Sequence, residues 1–123
     1  MAVSNFRALQ AFAAGANLSA AYGLGVVIDS SAPHAVKLPA AAGAITGVVI
    51  EPAPLGKTVG VCTEKDTKVP ARVSAAVAKG AKLACGTDGR FATAGDGAVV
   101  VGVALEAATA ADQVITILFG ATA

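Results

Sequence analysis

Apolar residues recur in short alternating runs along this chain, and clusters of Gly, Pro, Asp and Ser separate the runs about every 8 to 12 residues. This spacing is typical of β-sandwiches and β-barrels. Two of the separating turns contain Asp-Gly pairs, at Asp88 and Asp96, which accept the positive φ angles that tight hairpin turns require. The pattern predicts an all-β fold with strands at residues 7–13, 25–29, 35–38, 45–51, 57–63, 67–73, 81–85, 90–93, 99–106 and 113–119.

The second half of the chain repeats the first at an offset of 55 residues. The segment ITGVVIEPAPLGKTVGVCT aligns with VVGVALEAATAADQVITIL, so that Gly47 falls on Gly102. The same offset continues backwards without a gap and places Ser19 on Ser74. Matches between alanines carry little weight in an alanine-rich chain, but the shared Gly-Val pattern and its flanking alternation carry more. The repeat predicts an internal duplication, in a small β-barrel or β-tulip or in a sandwich.

We expect a single β domain over residues 16–123, with pseudo-repeat halves at about 16–70 and 71–123, preceded by an N-terminal arm at residues 1–15. The segment VSAAVAKGAK could be helical, because alanine is a strong helix former. Its copy LSAAYGLGVV, however, contains two glycines. We therefore expect extended chain followed by a turn in both copies.

The N-terminal arm carries two of the four phenylalanines. Phe6, Leu9 and Phe12 fit a helical stripe, whereas Phe6 and Phe12 also fit one face of a strand. So much apolar area at a terminus predicts that the arm docks, either on its own barrel or on a neighbour. The candidate interface residues are Phe6, Arg7, Leu9 and Phe12.

The chain has few charges for a soluble domain. Charged residues make up 14% of it, against about 25% in typical domains, and 55% of its residues are apolar. A small domain has a large surface relative to its volume, so another chain should cover part of this apolar surface. Much of the apolar fraction is alanine, which is tolerated on surfaces. On balance, the composition favours a homo-oligomer.

Several classes of partner do not fit the sequence. The net charge is +1 and the nine Lys and Arg residues are spread along the chain, which gives no field to attract nucleic acid. No apolar run approaches the roughly 18 to 20 residues that span a bilayer. Cys62 and Cys85 lack metal-ligand spacing and lie in apolar runs, where reduced, buried thiols are expected. We expect no nucleic-acid or membrane partner, no metal and no cofactor.

The triplet Gly56-Lys57-Thr58 resembles the end of a phosphate-binding loop. Such a loop needs a glycine five positions before Gly56, where this chain has Glu51, and the two prolines that follow Glu51 remove backbone N–H donors. The second copy of the repeat replaces the triplet with Ala-Asp-Gln and keeps the flanking pattern. An ordinary turn between two strands is therefore expected.

Two other groups of residues have the side chains of catalytic sites. The turn IDSSAPH holds the residue types of a hydrolase triad, in Asp29, Ser30, Ser31 and His34. Triad members rarely come from one short turn, so a solvated turn is expected. Glu51 and Glu106 are related by the repeat and could form an acid–base pair. A strand-end carboxylate that accepts hydrogen bonds from the next turn explains the same repetition. We expect that the protein is not an enzyme.

Lys65 suggests an alternative function. It lies between Glu64 and Asp66, and is similar in placement to the modified lysine at the hairpin tip of lipoyl and biotinyl carrier domains, which also have a quasi-twofold β-sandwich. Its neighbours do not reproduce the carrier signature, and the 55-residue repeat is too long for that fold. A carrier module remains the alternative to a structural protein.

Taken together, the segments described above resemble one known family. The two aligned repeat segments, the pieces KGAKL and DGR and the closing strand GVALEA are similar to the small head-decoration, or capsid cement, proteins of tailed bacteriophages. The resemblance covers residues from about 16 to 119, and it rests on packing and turn positions.

The resemblance implies a small β-barrel or β-tulip that assembles as a homotrimer on the outer surface of the phage head and clamps neighbouring subunits of the major capsid protein. Proteins of this family are not enzymes, and the resemblance transfers no functional side chain. The expected location is the virion, and the arm at residues 2–12 is the expected contact segment. Composition alone leaves open a bacterial surface or adhesin module of the same fold class.

Overall fold

The computed structural model describes residues 9–120, and over this range the chain forms β-strands and turns without a helix. The all-β prediction is confirmed, and each predicted strand has a counterpart. In chain order the strands are β1 (Leu9–Ala14), β2 (Gly25–Asp29), β3 (Ala35–Lys37), β4 (Gly47–Glu51), β5 (Thr58–Cys62), β6 (Thr67–Arg72), β7 (Lys82–Cys85), β8 (Phe91–Thr93), β9 (Gly102–Ala104) and β10 (Val114–Phe119).

The first five strands close into a barrel, and the last five form a sheet with the same strand order. The barrel runs β3-β2-β4-β5-β1 and closes where β1 pairs with β3, while the second sheet runs β8-β7-β9-β10-β6. The closing β1–β3 pair is parallel, and a parallel bridge between Val73 and Phe91 takes the corresponding place in the second sheet. Each strand from β6 to β10 thus takes the place in its sheet that the strand numbered five lower takes in the barrel. The predicted duplication is present in the topology.

The repeat offset is not uniform along the chain. Ala53 is bridged to Leu18, and Ala108, 55 residues after Ala53, is bridged to Val77, which lies 59 residues after Leu18. The ungapped match near residue 19 is therefore not the structural equivalence. Six residues (19–24) separate Leu18 from β2 in the first half, and four residues (78–81) separate Val77 from β7 in the second. The longer segment contains Gly23, whose carbonyl oxygen accepts a hydrogen bond from the Arg72 N–H at 2.9 Å and so joins the two halves.

Two apolar cores lie on opposite sides of β4 and β5. Val49 and Val61 face the barrel core, whereas their chain neighbours Val48 and Cys62 belong to the core of the second sheet. This division follows because successive residues of a strand point to opposite faces. The two strands are therefore a wall that both cores share. The largest fully buried side chains of the second core are Phe91, Leu83 and Ile117.

The two halves also meet through their backbones at the start of β2. The Gly25 N–H donates a hydrogen bond to the Gly89 carbonyl oxygen at 2.9 Å. A Cβ atom on Gly25 would lie 2.7 Å from the sulfur of Cys85. Gly89 has a φ of 82°, a conformation that side chains disfavour. Glycine at both positions allows the β7–β8 turn to approach the barrel.

The turn predictions are confirmed in part. Asp88-Gly89 lies in the turn between β7 and β8, which pair as a hairpin. Gly97 also has a positive φ, 78°, but it lies between β8 and β9, which both pair with β7 and not with each other. The strand predicted at 99–106 is shortened to β9, because the chain before it forms a loop. Residues 73–82 form turns and a bridge, as expected, and not a helix.

Candidate interaction surfaces

The predicted N-terminal contact residues lie in different surroundings. Phe12 packs against the barrel core, so its ring is engaged within the chain. Leu9 is half-buried and lies on the opposite face of β1. Phe6 and Arg7 lie outside the described residues. Of the helix and the strand that the sequence allows for the arm, its described part forms a strand, because β1 pairs with β5 and β3 of its own barrel.

Leu9 lines an apolar groove between the barrel and the second sheet. The groove has a volume of about 200 Å³, which is below the roughly 300 to 1,000 Å³ of typical small-molecule sites. Cys62, which pairs with Leu9, and Ile50, at a β-bulge of β4, also line it. Residues 67–70 of β6 form its other wall. These dimensions fit one or two apolar side chains of a peptide.

One edge of β6 is unpaired along this groove. The Arg72 N–H bonds to Gly23 on the side away from β10. Because the backbone groups of a strand alternate between its two edges, Lys68 and Pro70 present theirs on the same side as Arg72. Pro70 has no N–H, so this edge offers the two carbonyl groups and the Lys68 N–H. Within residues 9–120 no strand pairs with it.

Three turns come together at the barrel end that lies away from the Gly25–Gly89 contact. The Ala14 N–H donates to the Lys57 carbonyl oxygen at 2.9 Å, and the Ala13 N–H donates to the His34 carbonyl oxygen at 2.7 Å. These hydrogen bonds tie the end of β1 to the β4–β5 and β2–β3 turns. We define this surface as the distal barrel end, made of residues 15–17, 28–34 and 52–57.

The distal barrel end exposes large apolar side chains. Ile28 is 54% exposed and Leu55 is 65% exposed. Lys57 is the one exposed residue of the Asp, Glu, Lys and Arg types among the residues that define this surface. Exposed large apolar side chains with little charge around them are typical of protein contact sites. The distal barrel end is therefore a candidate contact surface.

The equivalent turns of the second half carry ion pairs instead. The Arg90 Nε lies 2.7 Å from Asp88 Oδ2, and its Nη1 lies 3.1 Å from Asp112 Oδ1. The Arg90 N–H is the main cause that lowers the pKa of Asp88. Asp112 is 55 residues after Lys57. The two copies of this end have thus diverged, one being apolar and the other charged and internally paired.

Asp29, Ser31 and His34 form a turn, as expected from the sequence. Asp29 Oδ1 accepts hydrogen bonds from the Ser31 hydroxyl at 2.6 Å and from the Ser31 N–H at 3.0 Å. These two hydrogen bonds lower the pKa of Asp29, and the bond from the Ser31 hydroxyl has the larger effect. Asp29 is only 6% exposed. Gly15 lies against this carboxylate and leaves no room for a Cβ atom. Among the described residues, the Asp29 side chain therefore accepts its hydrogen bonds from Ser31. The backbone carbonyl of His34 accepts a hydrogen bond from β1.

Glu51 and Glu106 have different surroundings, although the repeat relates them. Glu106 Oε2 accepts a hydrogen bond from the Thr116 N–H at 2.9 Å, and hydrogen bonding to Thr116 lowers the pKa of Glu106. The expected carboxylate-to-backbone bond is confirmed there, with the correction that the N–H belongs to β10 and not to the next turn. Glu51 instead covers Gly60, where a Cβ atom would lie 2.8 Å from Oε1.

Lys57 and Lys65, the two lysines considered as functional candidates, lie in connections between strands. Gly56 has a φ of 81°, and its N–H donates to the Ala14 carbonyl oxygen at 2.9 Å, so Lys57 belongs to an ordinary turn, as predicted. Lys65 is not at a hairpin tip, because β5 pairs with β1 and β4, while β6 pairs with β10. Its link crosses from the barrel to the second sheet, and its stem packs against Gly120. This corrects the premise of the carrier alternative.

Cys62 and Cys85 are free and buried, as predicted. Burial raises the pKa of Cys62, and it raises the pKa of Cys85 to about 12. Over residues 9–120 no three His, Cys, Asp or Glu side chains come together as a metal site. The same part of the chain contains no helix long and apolar enough to cross a membrane.

The fold has a counterpart among solved structures. No protein-family model and no curated protein matches the sequence. The crystal structure of the head fiber gp8.5 N base of bacteriophage phi29 is similar, with a TM-score of 0.67 over 90% of this chain and 92% of that chain. The sequence identity is 19%, so the similarity establishes a shared fold.

Proposed function

We propose that this chain is a structural protein of a phage head, which binds the outer surface of the assembled shell as a homotrimer and bridges neighbouring major capsid proteins. The observation that carries the proposal is the fold similarity, over 90% of this chain, to a protein of a phage head fiber. The resemblance of the strand and turn segments to those of head-decoration proteins supports the same role.

The surface chemistry supports attachment to other proteins. With charged residues at 14% of the chain, much of the surface is suited to contact rather than to free solution. The groove of about 200 Å³ suits side chains rather than a substrate. These features fit a protein whose role is to bind neighbours.

A decoration protein stabilises a shell by mass action. If it binds the assembled shell better than the separated subunits, each bound copy shifts the equilibrium towards assembly. A trimer strengthens this effect, because the second and third contacts form at high effective concentration once the first has formed. Weak contacts of single copies therefore suffice for firm attachment.

The distal barrel end is the surface that we assign to the shell. Ile28 and Leu55 expose apolar area there. Lys57 is the one exposed charged residue among those that define this surface, so little charge has to be desolvated when a partner binds. The opposite end of the barrel is engaged with the second half through Gly25 and Gly89. The distal barrel end therefore remains accessible when the halves are packed together.

Binding to purified phage heads that lack the protein tests the proposal. The wild-type protein should bind saturably and raise the temperature at which the heads open. Leu55→Asp should weaken binding about tenfold or more, because it removes apolar contact and places a charge in the interface. Val99→Asp is the matched control, since Val99 is also exposed, at 49%, but lies in the β8–β9 loop. It should bind like the wild type.

The outcomes separate the parts of the proposal. Absence of binding by folded wild-type protein would contradict the role on the head. Equal binding by Leu55→Asp and the wild type would contradict only the assignment of the distal barrel end. A mass of 11.8 kDa by light scattering at micromolar concentration would contradict the homotrimer.

A further inference from the structure

We propose that Asp96-Gly97, in the β8–β9 loop, is a site of spontaneous covalent modification at which Asp96 converts to isoaspartate, and that the fold protects Asp88-Gly89 from the same reaction. The two pairs are chemically identical and differ only in their surroundings. The inference does not depend on the proposed role on a phage head.

The reaction needs nothing beyond the chain and water. The backbone nitrogen of the glycine attacks the side-chain Cγ of the aspartic acid, and a C–N bond forms. The carboxyl O–H leaves with the proton of that nitrogen as one water molecule, which closes a succinimide ring. Water then opens the ring. When it breaks the bond between the nitrogen and the original peptide carbonyl carbon, the chain continues through the side chain as isoaspartate.

The backbone around Asp96 has room for this attack. The nitrogen has to rotate towards Cγ, and a side chain on the following residue obstructs that rotation, whereas glycine has none. Asp96 has a glycine on each side, and a Cβ atom added to Gly95 or Gly97 would have no atom within 4 Å. Neighbouring side chains therefore do not hold this part of the loop in one conformation.

The reacting groups of Asp96-Gly97 are also accessible. Asp96 is exposed, and within residues 9–120 neither its carboxylate nor the Gly97 N–H makes a hydrogen bond. The Ala98 N–H donates to the Gly95 carbonyl oxygen at 3.1 Å, a bond that spans the pair without using the groups that react. Both the nitrogen that attacks and the carboxyl that it attacks are thus available.

The turn at Asp88-Gly89 holds the same groups in place. The Asp88 carboxylate accepts hydrogen bonds from the Arg90 N–H at 3.1 Å and from its Nε at 2.7 Å. The Gly89 N–H donates to the Gly86 carbonyl oxygen at 3.0 Å, and a Cβ atom on Gly89 would lie 2.7 Å from the Gly25 carbonyl oxygen. The bond from the Arg90 N–H is the main cause that lowers the pKa of Asp88, which favours the carboxylate over the more reactive acid.

Peptide mapping of the folded wild-type protein, incubated for days at neutral pH, tests the proposal. Fragmentation by electron transfer distinguishes isoaspartate from aspartate, although their masses are equal. We expect isoaspartate to form at Asp96 about tenfold or more faster than at Asp88, which corresponds to about 1.4 kcal/mol in barrier height. In denaturant the two pairs should react at similar rates, because the surroundings that distinguish them are lost.

Two variants serve as controls. Asp96→Glu keeps the charge, but its longer side chain does not form the five-membered ring, so residue 96 should stay unmodified. Arg90→Ala releases the Asp88 carboxylate and should speed isomerisation at Asp88 while leaving the rate at Asp96 unchanged.

The rates in the folded protein decide the outcome. Equal rates at the two pairs, or a faster reaction at Asp88, would overturn the inference. Isoaspartate at Asp96 in denaturant but not in the folded protein would overturn it as well, because the loop would then protect Asp96. None of these results bears on binding to phage heads.

Discussion

The guanidinium Nη1 of Arg90 lies 3.1 Å from Asp112 Oδ1, and this ion pair joins the β7–β8 turn to the β9–β10 turn. Arg90 also holds Asp88 in its own turn. Arg90→Ala should therefore lower the melting temperature slightly, and the difference from the wild type should shrink in about 1 M salt, where the screening length falls to about 3 Å. Calorimetry at low and high salt measures this, with Lys68→Ala, an exposed cation that has no ion pair among the described residues, as the control. A salt-independent loss would mean that packing, and not charge, links the turns.

The shared wall between the two cores predicts that damage to the second core is costly. Phe91 is fully buried there, so Phe91→Ala should lower the free energy of unfolding by about 3 to 5 kcal/mol. Val99→Ala removes apolar atoms from an exposed loop residue and should change it by at most about 0.5 kcal/mol. Denaturant titration of both variants measures the difference. Similar values for the two would mean that Phe91 does not belong to a packed core.

The strands could be predicted from the sequence because alternation is a local signal. In β10, for example, Ile115, Ile117 and Phe119 are buried in the second core and alternate with residues that are exposed or half-buried. The closure of the barrel could not be predicted in the same way. It depends on the parallel pairing of β1 with β3, which joins Ala13 to Ala35 across an intervening strand, and no local pattern encodes that partnership.

The contact surfaces were harder to predict than the strands. The sequence assigned Phe12 to an interface, but a strand places it on the face that packs against the barrel core. The distal barrel end is made of residues that are far apart in the chain: Ile28 lies near the end of β2, and Leu55, 27 residues later, lies in the β4–β5 turn. The β2–β3 and β4–β5 turns are both hydrogen-bonded to the end of β1. Lys65 was placed at a hairpin tip because β5 and β6 are close in sequence, whereas they belong to different sheets.

The Asp29–Ser31 turn predicts a loss of stability in acid. Hydrogen bonds from Ser31 lower the pKa of Asp29 from its ordinary value of 3.8. A carboxyl with a lowered pKa stabilises the fold above pH 3.8, and this contribution disappears as the pH falls through the lowered value. Asp29→Asn should therefore be less stable than the wild type at pH 7, and the difference should narrow below pH 3.8. Unfolding titrations between neutral and acid pH measure it.

A matched variant separates the charge of Asp29 from its packing. Ser31→Ala removes the hydroxyl that donates to Asp29 at 2.6 Å and leaves the carboxylate in place. It should raise the pKa of Asp29 towards 3.8, so that the protein begins to lose stability at a higher pH than the wild type does during acidification. If the free energies of unfolding of Asp29→Asn and the wild type differed by the same amount at every pH, the ionised carboxylate of Asp29 would not be the group that stabilises this turn.

The buried thiols predict a graded resistance to alkylation. With a pKa raised to about 12, Cys85 is thiolate in only about one molecule in ten thousand at pH 8, and burial blocks the reagent as well. Iodoacetamide should therefore leave Cys85 unmodified in the folded protein and modify both cysteines in denaturant. Cys62 lines the groove beside Leu9 and should react faster than Cys85. Ala78→Cys, at an exposed position, is the control and should react within minutes. Mass spectrometry of time points gives each rate. Equal rates for Cys62 and Cys85 at every protein concentration would contradict the difference in access that the groove creates.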